Sequence, residues 1–184
     1  MNKATPKRLV IGMTGATGAI YGVRLLEVLQ DSDVETHLVV SKWAQQTVEH
    51  ETGHKIDYLR SLADATYSSG DMGAAVSSGS FHTDGMVVVP CSMRTVASIA
   101  TGVGDHLVHR AADVILKERR KLVLVARETP LSDIHLENLL KLSRMGSVIL
   151  PPMTAYYNHP KSLMDGVDHI VMRILDQFDS STDL

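Results

Sequence analysis

Arg8-Leu9-Val10-Ile11-Gly12-Met13-Thr14-Gly15-Ala16-Thr17-Gly18 is the stretch that decides the fold. An almost continuously apolar run of strand length passes into three closely spaced glycines. A helical pattern then begins at residue 20, with Leu25, Leu26 and Leu29 on one face. A strand apolar on both faces belongs inside a parallel sheet. Glycines after such a strand let the backbone approach a ligand, and the following helix start offers unpaired N–H groups to a phosphate. A tight turn that only packs helix on strand is the plainer alternative.

Outward from this junction the same alternation recurs. Short apolar runs at residues 35–40, 85–90, 121–126 and 147–150 read as further buried strands, with a weaker one at 65–67. Helical patterns occupy residues 107–118, 134–145 and 163–178. Strands alternating with helices require crossover connections and a parallel sheet. The expectation is therefore an α/β chain: one doubly wound, mainly parallel sheet in a single domain over residues 1–184. Ligands of such folds sit beyond the carboxyl ends of the strands. Five junctions lie there: residues 12–18, 41–42, 90–95, 127–130 and 151–160.

Composition agrees and removes several classes. With 44% hydrophobic and 21% charged residues, the 184-residue chain is globular rather than disordered. A net charge of -3 argues against a broad nucleic-acid-binding face. Only 4% of residues are aromatic, so the core must be aliphatic. The single cysteine, Cys91, excludes an intrachain disulfide and fits a reducing compartment. No apolar run approaches the roughly 20 residues of a membrane span. The polar start of the chain does not read as a secretory signal. A cytoplasmic protein, bound neither to membrane nor to nucleic acid, is expected.

The motifs narrow the chemistry. A nicotinamide site would place an acid near the end of the second strand, but Val39-Val40-Ser41-Lys42 has none. Tyr157-Asn158-His159-Pro160-Lys161 mimics a dehydrogenase Tyr/Lys pair, yet Pro160 breaks the helix that pair needs. His50-Glu51-Thr52-Gly53-His54 matches a zinc-protease string without a nearby third ligand, so it reads as a helix end entering a loop. His106 and His109, one turn apart, read as a solvated helix face. Lys117-Glu118-Arg119-Arg120-Lys121 likewise reads as a solvated helix end. Ser92 is suited to cap a helix whose free N–H groups could hold a carbonyl or phosphate. Cys91 beside it is more simply a core residue than a nucleophile. Arg127-Glu128 follows a buried strand, where an Arg suits a phosphate and a Glu can exchange protons. Residues 151–157 bring Tyr156 and Tyr157 to the last junction, as a lid over a flat or unsaturated ligand.

In order and spacing, these stretches resemble the UbiX/Pad family of flavin prenyltransferases. The resemblance rests on residues 12–19, Val40-Ser41-Lys42, Ser78-Gly79-Ser80-Phe81, Pro90-Cys91-Ser92-Met93-Arg94-Thr95 and Arg110-Ala111-Ala112-Asp113-Val114. Lys117-Glu118, Arg127-Glu128-Thr129-Pro130-Leu131, residues 151–157 and Arg173-Ile174-Leu175-Asp176 complete it. His135-Leu136-Glu137-Asn138 and Ser143-Arg144-Met145-Gly146 are most similar to members associated with phenolic acid decarboxylases.

The resemblance implies a flavodoxin-like, Rossmann-like three-layer sandwich. It also implies a metal-independent transfer of a dimethylallyl group from dimethylallyl monophosphate to N5 and C6 of reduced FMN. The product, prenylated FMN, would pass to a UbiD-type decarboxylase. The family is typically dodecameric, with sites at subunit contacts. By matched motifs, Gly15, Ala16, Thr17, Ser41, Ser92, Met93, Arg94, Thr95 and Arg127 would hold FMN. Lys117, Tyr157 and Arg173 would bind the allylic phosphate, with Arg110 from a neighbouring chain. Glu128 would be the acid/base, Glu51 a second carboxylate, and Phe81 an aromatic facing the prenyl group. Flavin-dependent cysteine decarboxylases share the architecture but use a His and an Asn-rich loop absent here. A carrier that only delivers FMN would need no second phosphate site.

Overall fold

A computed structural model describes residues 7–178. Its strands are β1 (Lys7–Met13), β2 (Val34–Val40), β3 (Ala65–Ser68), β4 (Gly85–Cys91), β5 (Lys121–Ala126) and β6 (Val148–Ile149). They form one six-stranded sheet in the order β3-β2-β1-β4-β5-β6. Every pairing is parallel. This is the doubly wound Rossmann order, which reverses direction between β1 and β4 and opens a crevice there. The last strand is the main departure from the expected lengths, since only two residues of the 147–150 run pair with β5.

The helices are α1 (Ala19–Gln30), α2 (Lys42–Thr52), α3 (Ile56–Leu62), α4 (Met93–Thr101), α5 (Leu107–Lys117), α6 (Asp133–Arg144) and α7 (Leu163–Leu175). A short 3-10 turn, Asp176–Phe178, follows α7, where the apolar pattern had suggested unbroken helix. Local chemistry sets the ends. Ser92 caps α4 and Ser41 caps α2, each through its own hydroxyl. Capping boxes built on Ser132 and Ser162 start α6 and α7. Gly53 and Gly102 end α2 and α4 in left-handed conformation.

Alternation along each strand divides the core in two. Leu9, Ile11, Met13, Val87, Val89, Val123 and Val125 face a layer that includes α1 and α7. Val10, Met86, Val88, Leu122 and Leu124 face α4 and α5. Strand β4 is buried at all seven positions, as a central parallel strand must be. Nearly all of this core is aliphatic, and Phe178 is the one buried aromatic among the described residues. Among the described residues no helix is long and apolar enough to cross a membrane.

Candidate active site

The crevice at the carboxyl edge is held together by Thr14, which lies between β1 and Gly15 and is 3% exposed. Its hydroxyl donates to the Pro90 carbonyl at 2.9 Å and accepts from the Ser92 N–H at 2.8 Å. Its own N–H also donates to Pro90, at 3.1 Å. One side chain thus fixes the β1 loop against the end of β4. The Arg127 N–H donates to the Cys91 carbonyl at 3.2 Å and ties in the end of β5, while the Ser41 N–H donates to Met13 at 2.9 Å and ties in β2. Four strand ends therefore share one backbone network.

Gly15 needs to be glycine for space: a Cβ there would stand 2.6 Å from the Cβ of Trp43. Trp43 itself is largely exposed on the first turn of α2. At the start of α4, Ser92 accepts from the Thr95 N–H at 3.3 Å. Among the described residues no group accepts from the Met93 or Arg94 N–H, so these remain for a ligand. The Arg94 side chain turns away and pairs with Asp105 at 3.1 Å. What Arg94 offers the crevice is its backbone.

The start of α1, expected to receive a phosphate, already holds an anion of the chain itself. Glu51 accepts from the Gly18 and Ala19 N–H groups, both at 2.9 Å. Its carboxylate lies in a cavity of about 390 Å³ that Thr17, Tyr21, Arg127 and Pro152 also line. Burial pushes the Tyr21 phenol up, and the Arg127 guanidinium opposes that rise. Glu128, next in the chain, is exposed and accepts from the Thr129 N–H at 3.0 Å. Glu51 and Arg127 therefore line one cavity, and Glu128 is the residue after Arg127 in the loop that follows β5. Cys91 is fully buried, which pushes its thiol far up and keeps it protonated and inert.

The remaining expected site residues lie elsewhere in the chain. Lys117 ends α5, roughly 15 Å along the helix from Leu107, and is paired with Glu118. Both pack over Gly79, where a Cβ would stand 2.8 Å from the Lys117 Nζ. Phe81 contacts Arg8 and His37, so it too sits towards the amino edge of the sheet. Tyr157 is 80% exposed and meets His169 edge-on, one helical turn before Arg173. Arg173 pairs with Asp176 at 2.7 Å, next to the turn whose Gln177 carbonyl receives the ammonium of Lys121. Arg110 donates to the Ser77 carbonyl and pairs with Asp113, both on its own face of the sheet. One chain therefore assembles the crevice group but leaves Lys117 with Phe81 in one outlying group and Arg173, at the far end of α7, in another.

Two readings of histidine come out differently. His50-Glu51-Thr52-Gly53-His54 is a helix end entering a loop, as expected, with Glu51 committed to α1. The solvated face assigned to His106 and His109 is a misreading, since His109 is 3% exposed. Periodicity failed because α5 is buried on two sides, by the sheet and by the start of α4. Thr14 gives no sequence signal of its own beside the louder one of the adjacent glycines, apart from being a hydroxyl at an apolar strand end.

The Flavoprotein family model matches residues 1–179, and the chain belongs to that family. Within it, the chain is one of the UbiX-like flavin prenyltransferases. A UbiX-like flavin prenyltransferase of Bacillus subtilis (strain 168) is 64% identical over 171 residues, covering 93% of this chain and 84% of the relative. The solved structure of AnUbiX (PadA1) in complex with FMN and dimethylallyl pyrophosphate has a TM-score of 0.95 at 54% identity, covering 96% of this chain and 94% of that one. A dodecameric FMN-dependent UbiX-like decarboxylase from Escherichia coli O157:H7 has a TM-score of 0.93 at 58% identity, covering 95% of each chain.

Proposed function

We propose that this protein transfers a dimethylallyl group from dimethylallyl monophosphate to N5 and C6 of reduced FMN, and that the prenylated FMN serves a UbiD-type decarboxylase. The observation that carries the reading is the locked crevice, with two free N–H groups at α4 and a cavity lined by Glu51 and Arg127, in a chain 54% identical to a protein solved with FMN and an allylic pyrophosphate. A carrier of FMN would not need the acid/base pair or a second set of cations. Relatives this similar that are named prenyltransferases also disfavour the cysteine-decarboxylase alternative.

In this reading Gly15, Ala16, Thr17, Ser41, Ser92, Met93, Arg94, Thr95 and Arg127 bind FMN, mostly through backbone N–H groups. Reduced flavin is the electron-rich partner and supplies the attacking centres. Glu128, exposed and next to Arg127 in the chain, exchanges the proton at the leaving phosphate or at N5. Glu51 assists as a second carboxylate and orders the α1 start. Lys117, Tyr157, Arg173 and Arg110 neutralise the allylic phosphate, which makes it a better leaving group. Phe81 lines the dry wall beside the prenyl group.

Lys117 and Arg173 lie away from their own chain's crevice, so neighbouring copies must bring them to it. That requirement agrees with the dodecamer of the Escherichia coli relative. We propose the same assembly here, of single flavin-binding domains in the cytoplasm. The test is anaerobic incubation with reduced FMN and dimethylallyl monophosphate, followed by mass spectrometry of the released flavin. The expected product is heavier than FMN by one prenyl group, and unchanged FMN would overturn the reading.

A further inference from the structure

We propose that Asp105, His106 and His109 form a binding site for one divalent transition-metal ion of the zinc type, separate from the prenyl-transfer chemistry. One donor atom from each residue falls within a group whose members are all within 4.8 Å of one another. Asp105 Oδ1 stands 2.8 Å from His109 Nδ1 and 3.9 Å from His106 Nε2. Tetrahedral zinc with bonds of about 2.0–2.2 Å needs donors about 3.3–3.6 Å apart, which these two distances bracket.

A second observation points to a ligand. His109 is almost wholly buried, and its Nδ1 meets only the Asp105 carboxylate, at 2.8 Å and without the alignment of a regular hydrogen bond. Buried polar nitrogens are rarely left so. The Nδ1 of His106 is buried without a partner, and the two rings lie 3.7 Å apart, centroid to centroid. Rings tilted by 32° at this distance gain little from each other, whereas a shared ion would join both to the carboxylate.

The surroundings suit a bound cation. The Nε2 of His109 faces the Thr95 hydroxyl at 3.4 Å. Donation there would fix the tautomer that leaves Nδ1 as a lone-pair donor, as in orienting contacts to metal-bound histidines. Arg94 holds the other carboxylate oxygen of Asp105 at 3.1 Å, which orients Oδ1 without occupying it. Two imidazoles and one carboxylate favour zinc, cobalt or nickel over magnesium or calcium. Exposed Asp105 and half-buried His106 leave one side open for a water ligand. A cavity of about 160 Å³, lined by Gly104, His109 and Arg110, reaches the cluster from its other side.

Through His109 and Thr95 the ion would tie the start of α5 to the cap of α4, and so stiffen the wall that offers N–H groups to the flavin. The proposal is independent of the prenyl donor, and binding is read without turnover. Chelator-treated protein is titrated with zinc by calorimetry and with cobalt by visible absorption. One ion per chain is expected. His106→Gln and Asp105→Asn should each weaken binding by more than about 10-fold, while His54→Gln should leave it unchanged. His106 and Asp105 are partly exposed, so their variants should fold, and retained FMN binding confirms it. Absence of stoichiometric binding, or binding unchanged in both variants, would overturn the proposal.

Discussion

The two edges of the sheet are built on different terms. At the carboxyl edge, four strand ends are joined by short backbone bonds through Thr14, Ser41, Cys91 and Arg127, and the groups offered to a ligand are mostly N–H groups. Towards the amino edge and along α7, the candidate groups are long cationic side chains paired, among the described residues, with carboxylates near in sequence: Lys117 with Glu118 and Arg173 with Asp176. Exposed pairs of that kind contribute little to stability and exchange partners readily. Under the proposed function, the difference teaches that one chain preorganises the flavin half of the site, while the half for the phosphate of the donor would take shape on association.

That contrast can be broken by substitution. The largest effect is expected from Glu128→Gln, which keeps the shape of the crevice but removes the proton carrier. Turnover should fall by about 10²–10⁴-fold, with FMN affinity unchanged by fluorescence titration. A normal rate would take Glu128 out of the reaction. Next, Lys117→Met should lower turnover by about 10²–10³-fold, while leaving both FMN binding and chain stability intact. If FMN affinity fell with it, the proposed division between flavin and donor halves would fail. The smallest expected effect is on stability. Thr14→Val leaves the Ser92 N–H without its acceptor in a partly buried position, so urea unfolding should show a loss of about 1–3 kcal/mol. Here FMN binding should weaken as well, because the α4 start loses its anchor to β1.

Much of the scaffold was legible in the residues. Strand β5 matches its apolar run residue for residue, and β1, β2 and β4 differ from theirs by one. A strand buried on both faces leaves an unbroken β-branched signature. Helix α3 went unnoticed because it is only two turns long and half exposed. The crevice residues were legible as turn chemistry at strand ends, since Gly15 and Ser92 have local reasons to be what they are. The separation of Lys117 and Arg173 from that crevice was not legible. It depends on the direction in which α5 and α7 run across the sheet, and on which edge each reaches. The burial of His109 was hidden for a similar reason: a face that looks polar in periodicity is covered by the start of another helix.

The most direct test of the account mixes two inactive proteins. Glu128→Gln retains Lys117, and Lys117→Met retains Glu128. After subunit exchange at equal amounts, random assembly should restore up to about a quarter of the sites, because each site draws its acid/base and its lysine from different chains. Activity recovered to that order is the predicted result. A mixture that remains as inactive as its parents, with exchange verified by mass, would contradict a site shared between copies.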